Sequence, residues 1–405
     1  MMPRMIENIL KDVTVLELAE GIAGPFCGQI LGDLGARVIK IEPPGGDWSR
    51  ALQTSDRTSP VFLGCNRNKE SISVDLRTPG IPEVIRQLAS RADVFIQAYR
   101  PGVAERAGLS AADLSAINPR LIYCSISGFG NRGPKREWPG SDTILQAYSG
   151  VMAATGEPDR PPSRVGTPIG DTGSGVYAAV GVLALLLRRE TTGIGGVCDT
   201  SLLEALVSLQ TTTFSDFFGG VVPKRLGSRS SLSAVPAEAV PTLDGFLSIS
   251  CHAPRQWQKL CTAIERPDLL DDPRFRTNRD RVENHDLLIE MLSSTLTMRT
   301  TSAWMEVFEE LGVNAGPINT VVDVVSDPHT LALGLFRSLT SARLKEDTFV
   351  VDLPITVDGQ VEHPPPAEPP LLGEHTRTVL LEAGYSSEEI DAFSATGAMR
   401  APVDV

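Results

Sequence analysis

Apolar positions in the N-terminal half fall into short runs separated by segments of helical period. Val13 to Leu18 is a run of the strand kind. Pro25 then opens a helix carrying Phe26, Ile30, Leu31 and Leu34, with Gly35 as its stop. Arg37 to Glu42 reads as a second strand. Strand, helix and strand in so short a span make a βαβ unit, which implies parallel pairing and a right-handed crossover. The pattern repeats with a strand at Ser71 to Leu76, a helix at Pro82 to Ala92, and strands at Asp93 to Gln97 and Leu121 to Ser127. The N-terminal half is therefore predicted to be a doubly wound α/β domain. The longest apolar stretch, Val176 to Leu187, is interrupted by Gly181 and closed by Arg188-Arg189. It is too short to span a membrane and reads as a buried helix.

After about Pro223 the pattern changes. Leu243 to Ser250, interrupted at Asp244-Gly245, reads as a hairpin with a tight turn. Helical segments follow at Arg255 to Ile264, Arg281 to Leu296 and Ser302 to Leu311. Together these make a smaller α+β module. The proline-rich run Glu362 to Pro370 reads as an extended tether, and Glu374 to Ala383 as a short helix. The expected organisation is a large α/β domain over residues 1–222, a linker and small α+β domain over 223–325, and a C-terminal return over 326–405.

Composition narrows the function. The chain has 405 residues, 41% of them hydrophobic and 21% charged, an ordinary balance for a soluble globular protein. A formal net charge of -13 argues against nucleic acid as a partner, because phosphate binding needs basic patches. The opening residues MMPRMIENILKD lack the apolar core of a signal peptide. The six cysteines form no C-x-x-C pair, so they read as buried, reduced thiols of a cytoplasmic protein.

Motifs exclude further classes. Gly21, Gly24 and Gly28 in the first βα turn do not have G-x-G-x-x-G spacing, so a nicotinamide or flavin cofactor is not supported. Neither a P-loop nor a G-x-S-x-G elbow is present, and no metal-ligand spacing appears among the histidines. His252, His285, His329, His363 and His375 all lie beyond residue 251. Chemistry in the N-terminal domain cannot use a local imidazole, and a carboxylate would have to act as the nucleophile.

Several stretches, in order along nearly the whole chain, resemble the class III CoA-transferase family of the formyl-CoA and carnitine type. They are Ala23 to Cys27, Leu34 to Pro43, Asn66 to Lys69, Arg100 to Gly102, Asn118 to Tyr123, Ser125 to Gly130, Arg189 to Gly193 and Leu372 to Thr376. The family's nucleophilic aspartate stands just before a long helix that follows a Gly-x-Pro-rich segment. Gly166 to Asp171, leading into Gly175 to Arg188, matches that segment. By this resemblance Asp171 is the catalytic nucleophile, where the residues alone equally allow a plain helix cap.

The resemblance implies that CoA moves from an acyl-CoA donor to a small carboxylic acid through an acyl-aspartyl anhydride and an aspartyl-CoA thioester. No cofactor beyond the CoA substrate and no metal is implied. The expected CoA contacts are Ala23, Arg37, Lys40, Lys69, Tyr99, Arg100 and Arg106, with Lys69 and Arg106 foremost for the phosphates. His252, on the loop before Arg255-Gln256-Trp257, is expected to hold a polar or dicarboxylic acid. The family also contains α-methylacyl-CoA racemases, whose Gly-His-Asp segment is here Gly140-Ser141-Asp142. Serine cannot replace that histidine as a base near neutral pH. Ser141 instead puts a small hydroxyl beside the thioester. A catalytically silent acyl-CoA-binding protein would have no need of Asp171. The implied fold is a Rossmann-like large domain built from both chain ends plus a small α+β domain. The implied assembly is an interlocked, ring-like homodimer with neither membrane nor nucleic acid as partner.

Overall fold

The computed structural model of the chain describes residues 9–52, 59–230, 234–339, 348–357 and 366–400. His363, Pro364 and Pro365 lie outside them. The described chain divides into two compact units. The larger comprises Met1–Val151, Arg164–Val221 and Pro328–Val405, and the smaller Met152–Ser163 and Val222–Asp327.

The larger unit is built on a mixed sheet. Strands β1 (Thr14–Leu18), β2 (Arg37–Glu42), β3 (Lys69–Val74), β4 (Val94–Gln97), β5 (Ile122–Ser127) and β6 (Gly196–Ser201) are all parallel. In the smaller unit lie β7 (Ala237–Pro241), β8 (Phe246–Ser250) and β9 (Ala315–Pro317), and a separate pair is formed by β10 (Phe336–Leu339) and β11 (Thr348–Val351). The last strand, β12 (Met399–Arg400), returns to the large sheet, whose order is β12-β3-β2-β1-β4-β5-β6. It pairs antiparallel with β3, setting Met399 beside Val74. The order reverses between β1 and β4, which opens a crevice at the C-terminal ends of those strands.

Successive strand residues serve opposite faces, so each strand reads as a continuous apolar run. Leu16, Ile39 and Phe95 pack under the helix Ile81–Ala89 and the C-terminal helix Thr376–Glu382. Val15, Val38 and Ile122 pack under two others, α1 (Ala23–Asp33) and the long helix Ile169–Thr192. Each fully buried aliphatic side chain contributes roughly 1.5–3 kcal/mol.

Local signals account for most boundaries. α1 begins at Ala23, slightly before the expected Pro25, which sits in the first turn where its missing N–H costs nothing. Gly35 turns the chain out of that helix at φ +102°. Between β5 and the long helix lies α2 (Asp142–Tyr148), and the long helix itself is α3. It starts at Ile169, not at Gly175 as expected, so Asp171 lies in its first turn and not ahead of it. Its 24 residues also exceed the apolar run read from the sequence, and by length and composition alone it could cross a membrane. Its buried stripe of Ser174, Ala178, Val182 and Leu186 repeats every fourth residue, as in a helix packed on one side. Gly175 lets α1 approach, since a Cβ there would meet the Ala23 carbonyl oxygen at 2.8 Å.

The smaller unit has its own core. β8 pairs antiparallel with β7 and β9, and Leu247 and Ile249 pack against Trp257, Leu288, Leu292, Trp304 and Phe308. The hairpin's first strand lies earlier than expected, at Ala237–Pro241. Leu243 belongs to the turn that Thr242 N–H closes onto the Gly245 carbonyl at 2.9 Å. Met152–Ser163, read as part of the large domain, joins this unit because Gly227 N–H and the Arg225 guanidinium bond the carbonyls of Gly156, Glu157 and Pro158.

The described end of the proline-rich run is docked, not a free tether. Ala367 exchanges hydrogen bonds with Asn68, and Arg50 donates to the Pro370 carbonyl at 3.0 Å.

Candidate active site

A cavity of about 350 Å³ occupies the crevice between the C-terminal ends of β1 and β4. Glu20, Ile22 and Ala23 after β1, Tyr99 and Arg100 after β4, Ser127 at the end of β5 and Gly128 just beyond it line it. The start of α2 adds Ser141 and Asp142, and the start of α3 adds Pro168 and Asp171. Of the residues singled out in the sequence, Ala23, Tyr99, Arg100, Ser141 and Asp171 therefore meet in one place.

Asp171 is half-buried, and no donor among the described residues reaches its carboxylate. Burial first, and then the charge of Asp142, push its pKa up to about 7. Asp171 is not the cap of its own helix. The residue at that position is Pro168, and the Asp142 carboxylate caps in its place, accepting from Gly170 N–H at 2.7 Å and Asp171 N–H at 3.3 Å. Ser141 precedes α2 in an extended conformation, and its hydroxyl is not spent on capping. α1 likewise begins without a side-chain cap, so the positive end of its dipole lies at the cavity wall beside Ala23.

Four expected phosphate contacts sit elsewhere. Lys40 is fully buried, with its ammonium 3.1 Å from Glu17, 2.8 Å from Asp47 and 2.7 Å from the Ala19 carbonyl. Burial lowers its pKa, but Glu17, Asp47 and Glu42 more than offset this and leave it raised. The Lys69 ammonium is equally buried and donates to Glu17 at 2.7 Å, the Pro25 carbonyl at 2.8 Å and Asn66 at 3.1 Å. With every donor engaged inside the fold, neither lysine is placed to meet a phosphate. Arg37 stands at the N-terminal end of β2, away from the crevice, where it grips Glu70 with a bidentate pair and Glu382 at 2.7 Å. Arg106 is exposed on the short helix Val103–Arg106 and is not part of the cavity wall. His252 is exposed in the smaller unit, between β8 and the helix Pro254–Ala263.

The buried lysines instead hold the cavity's floor. Asp47, paired with Lys40, accepts from Gly21 N–H at 3.0 Å and pins the β1–α1 loop. Glu20 on that loop accepts from the Tyr99 hydroxyl at 3.0 Å. Burial, followed by the Glu20 charge, raises the Tyr99 pKa and keeps the phenol protonated.

The cavity also holds groups that the sequence reading missed. Arg136 and Arg164 line it, as does Trp138, which meets Phe129 edge-to-face at 6.2 Å and carries the Lys135 ammonium 3.0 Å from its ring. The signal for Arg136 and Trp138 was the basic loop Arg132 to Arg136 in an otherwise acidic chain. Asp142 stood next to Ser141 in the segment already compared with the racemases. Among the described residues no cluster of His, Cys, Asp or Glu could hold a metal ion.

The sequence profile of CoA-transferase family III matches residues 10–376. The succinyl-CoA:glutarate CoA-transferase of Mus musculus is 36% identical over 392 residues, spanning 96% of this chain and 89% of that protein. The succinyl-CoA–D-citramalate CoA-transferase of Chloroflexus aurantiacus is 36% identical over 398 residues, spanning 95% and 97%. The crystal structure of a CAIB/BAIF family protein from Brucella suis superposes with a TM-score of 0.82 at 34% identity, over 92% of this chain and 98% of that one. A match of this length, on a chain whose cavity gathers the carboxylate and cationic groups just described, makes this chain a member of CoA-transferase family III and an enzyme of the CoA-transferase type.

Proposed function

We propose that the enzyme moves CoA from a dicarboxylic acyl-CoA to a second dicarboxylic acid through covalent intermediates on Asp171. The observation that carries the reading is the Asp171 carboxylate itself, in the cavity wall with no donor among the described residues to stabilise its charge. An anion so placed is a stronger nucleophile than a solvated one.

One carboxylate oxygen attacks the thioester carbonyl, the C–S bond breaks, and CoA leaves as a thiolate. The product on the enzyme is a mixed anhydride. The thiolate then attacks the aspartyl carbonyl, breaking the bond to the anhydride oxygen. The donor acid departs as its carboxylate, and an aspartyl-CoA thioester remains. The acceptor carboxylate repeats these steps in reverse and regenerates Asp171. No proton is consumed, which suits a cavity with no histidine among the described residues of its wall. Each intermediate retains an activated acyl bond, so the site's task is to hold the thiolate close and exclude water.

Arg100, Arg136 and Arg164 supply the positive charge. They match the CoA phosphates and the second carboxylate of a dicarboxylic acid, and the relatives in mouse and Chloroflexus are named for such acids. Ser141 offers its hydroxyl beside the reacting carbonyl.

The test uses succinyl-CoA as donor and glutarate as acceptor. Wild type forms glutaryl-CoA, and hydroxylamine added with succinyl-CoA leaves a hydroxamate at Asp171 by peptide mass spectrometry. Asp171→Ala and Asp171→Asn fold normally and lose turnover by at least about a thousandfold. Near-normal turnover in either variant removes Asp171 from the chemistry.

A further inference from the structure

The amide groups at the start of α3 can be accounted for completely. A helix leaves its first amides without partners inside the helix, and an aspartate in the first turn commonly folds back to satisfy them. Here none is left for Asp171. Ile169 N–H bonds the Thr167 carbonyl at 2.8 Å, and Thr172 N–H the Pro168 carbonyl at 3.0 Å. Gly170 N–H and Asp171 N–H both go to Asp142 Oδ1. Asp142 is 7% exposed, and its second oxygen accepts from Gln146 at 2.6 Å. Gln146, itself buried, also accepts from Val165 N–H at 2.9 Å and donates to the Thr167 carbonyl at 3.2 Å. Asp142 is thus fixed from both sides. Gly170 makes room for it, because a Cβ there would sit 2.9 Å from Asp142 Oδ1.

We propose that Asp142 is a positioning residue for the Asp171 nucleophile: it takes the helix-end amides so that the Asp171 carboxylate is left unpartnered and turned out for attack. The proposal rests on the reading of Asp171 as the nucleophile and adds a second role to its setting. Two like charges a short distance apart resist joint ionisation, so Asp142 also makes Asp171 a more basic carboxylate. Forming the anhydride removes the Asp171 charge and relieves that repulsion. The other ionisable groups in the cavity wall are Glu20, Tyr99, Arg100, Arg136 and Arg164. None of them is among the groups that shift Asp171, and among the described residues the charge that does so is that of Asp142.

The experiment compares Asp142→Asn, which keeps a carbonyl oxygen for the amides and loses the charge, with Asp142→Ala, which loses both. The readouts are the pH profile of kcat/KM with succinyl-CoA, hydroxamate trapping at Asp171 and CoA affinity by calorimetry. In wild type the acidic limb falls near pH 7, set by Asp171. Asp142→Asn moves that limb down by about one pH unit and lowers kcat/KM at pH 8 several-fold. Asp142→Ala lowers trapping by about a hundredfold while CoA affinity changes little, since a displaced nucleophile loses its near-attack geometry. Should Asp142→Ala fail to fold, Gly170→Ala, which crowds Asp142 off the amides, gives the same loss of trapping. An acidic limb that stays in place in Asp142→Asn, or full trapping in Asp142→Ala or Gly170→Ala, overturns the proposal. If Asp171→Ala itself retains turnover, the nucleophile assignment falls. If Asp171→Ala is inactive and the Asp142 variants behave as wild type, the positioning role alone falls.

Discussion

At the scale of single residues, Asp171 shows how a buried carboxylate weighs on the fold. Its ordinary pKa of 3.8 is pushed to about 7 by burial and by Asp142. Below pH 3.8 the folded and unfolded chains are both protonated there, and Asp171 costs nothing. As pH rises toward 7 the unfolded chain releases the proton first, so stability falls by about 1.4 kcal/mol for each pH unit and then levels off. Asp171→Asn removes that dependence. It should melt above wild type at pH 8, by an upper bound of about 4 kcal/mol, and match it near pH 4. Equal melting curves at both pH values would show that the Asp171 charge is well solvated. The place of Asp171 at the start of the long helix was legible in its Gly-Thr-Pro-Ile-Gly-Asp segment. Its pairing with Asp142, 29 positions away, was not legible, because only the fold brings the two together.

At the scale of elements, the β1–α1 loop carries one wall of the cavity and depends on charges buried beneath it. Lys40 and Lys69 share the two oxygens of Glu17. Gly28 on α1 leaves space for that carboxylate, since a Cβ there would fall 1.9 Å from Glu17 Oε2. Removing one partner of such a buried group strands the other charge and costs about 3–5 kcal/mol. Lys69→Met should therefore lower the denaturant midpoint and loosen the loop. A lysine that held a CoA phosphate would behave differently, raising KM for the acyl-CoA with the midpoint unchanged, and that result would restore Lys69 to the binding site. The difference between the expected and the observed setting of Lys69 has a physical origin. A lysine at the start of a strand reads as a loop-side charge, and sequence cannot say that Glu17, two strands away in the sheet, turns toward it. Strands β1, β2, β4 and β5 were legible because apolar runs bounded by turns are a strong signal. β6, with the sequence Gly-Val-Cys-Asp-Thr-Ser, alternates half-buried and exposed positions at the sheet's edge and carries little of that signal.

At the scale of the whole molecule, the apolar surface left on the large unit is itself a structural statement. The inner stripe of α3 is buried, yet Val176, Tyr177, Val180 and Leu187 on the same helix are exposed, Leu187 by 74%. Phe217 and Phe218, on the helix Thr211–Phe218, are exposed by 52% and 80%. Apolar side chains on successive turns of α3, together with the two phenylalanines, form candidate contact surface. We propose a second copy as the occupant, because one self-complementary apolar face can serve both subunits of a symmetric pair. The return of the chain end to the sheet, where β12 pairs with β3, adds a topological reason. The larger unit is built from segments on both sides of the smaller one in the chain, the connectivity that the expected interlocked pair requires, and interlocked subunits would separate only by partial unfolding. The expected outcome is a dimer by analytical ultracentrifugation that persists at nanomolar concentration. Val180→Asp with Leu187→Glu should yield less soluble protein and lower thermal stability, not a stable folded monomer. A wild-type chain that dissociates reversibly on dilution would rule out threading, and a monodisperse wild-type monomer would leave the apolar face of α3 to some other partner.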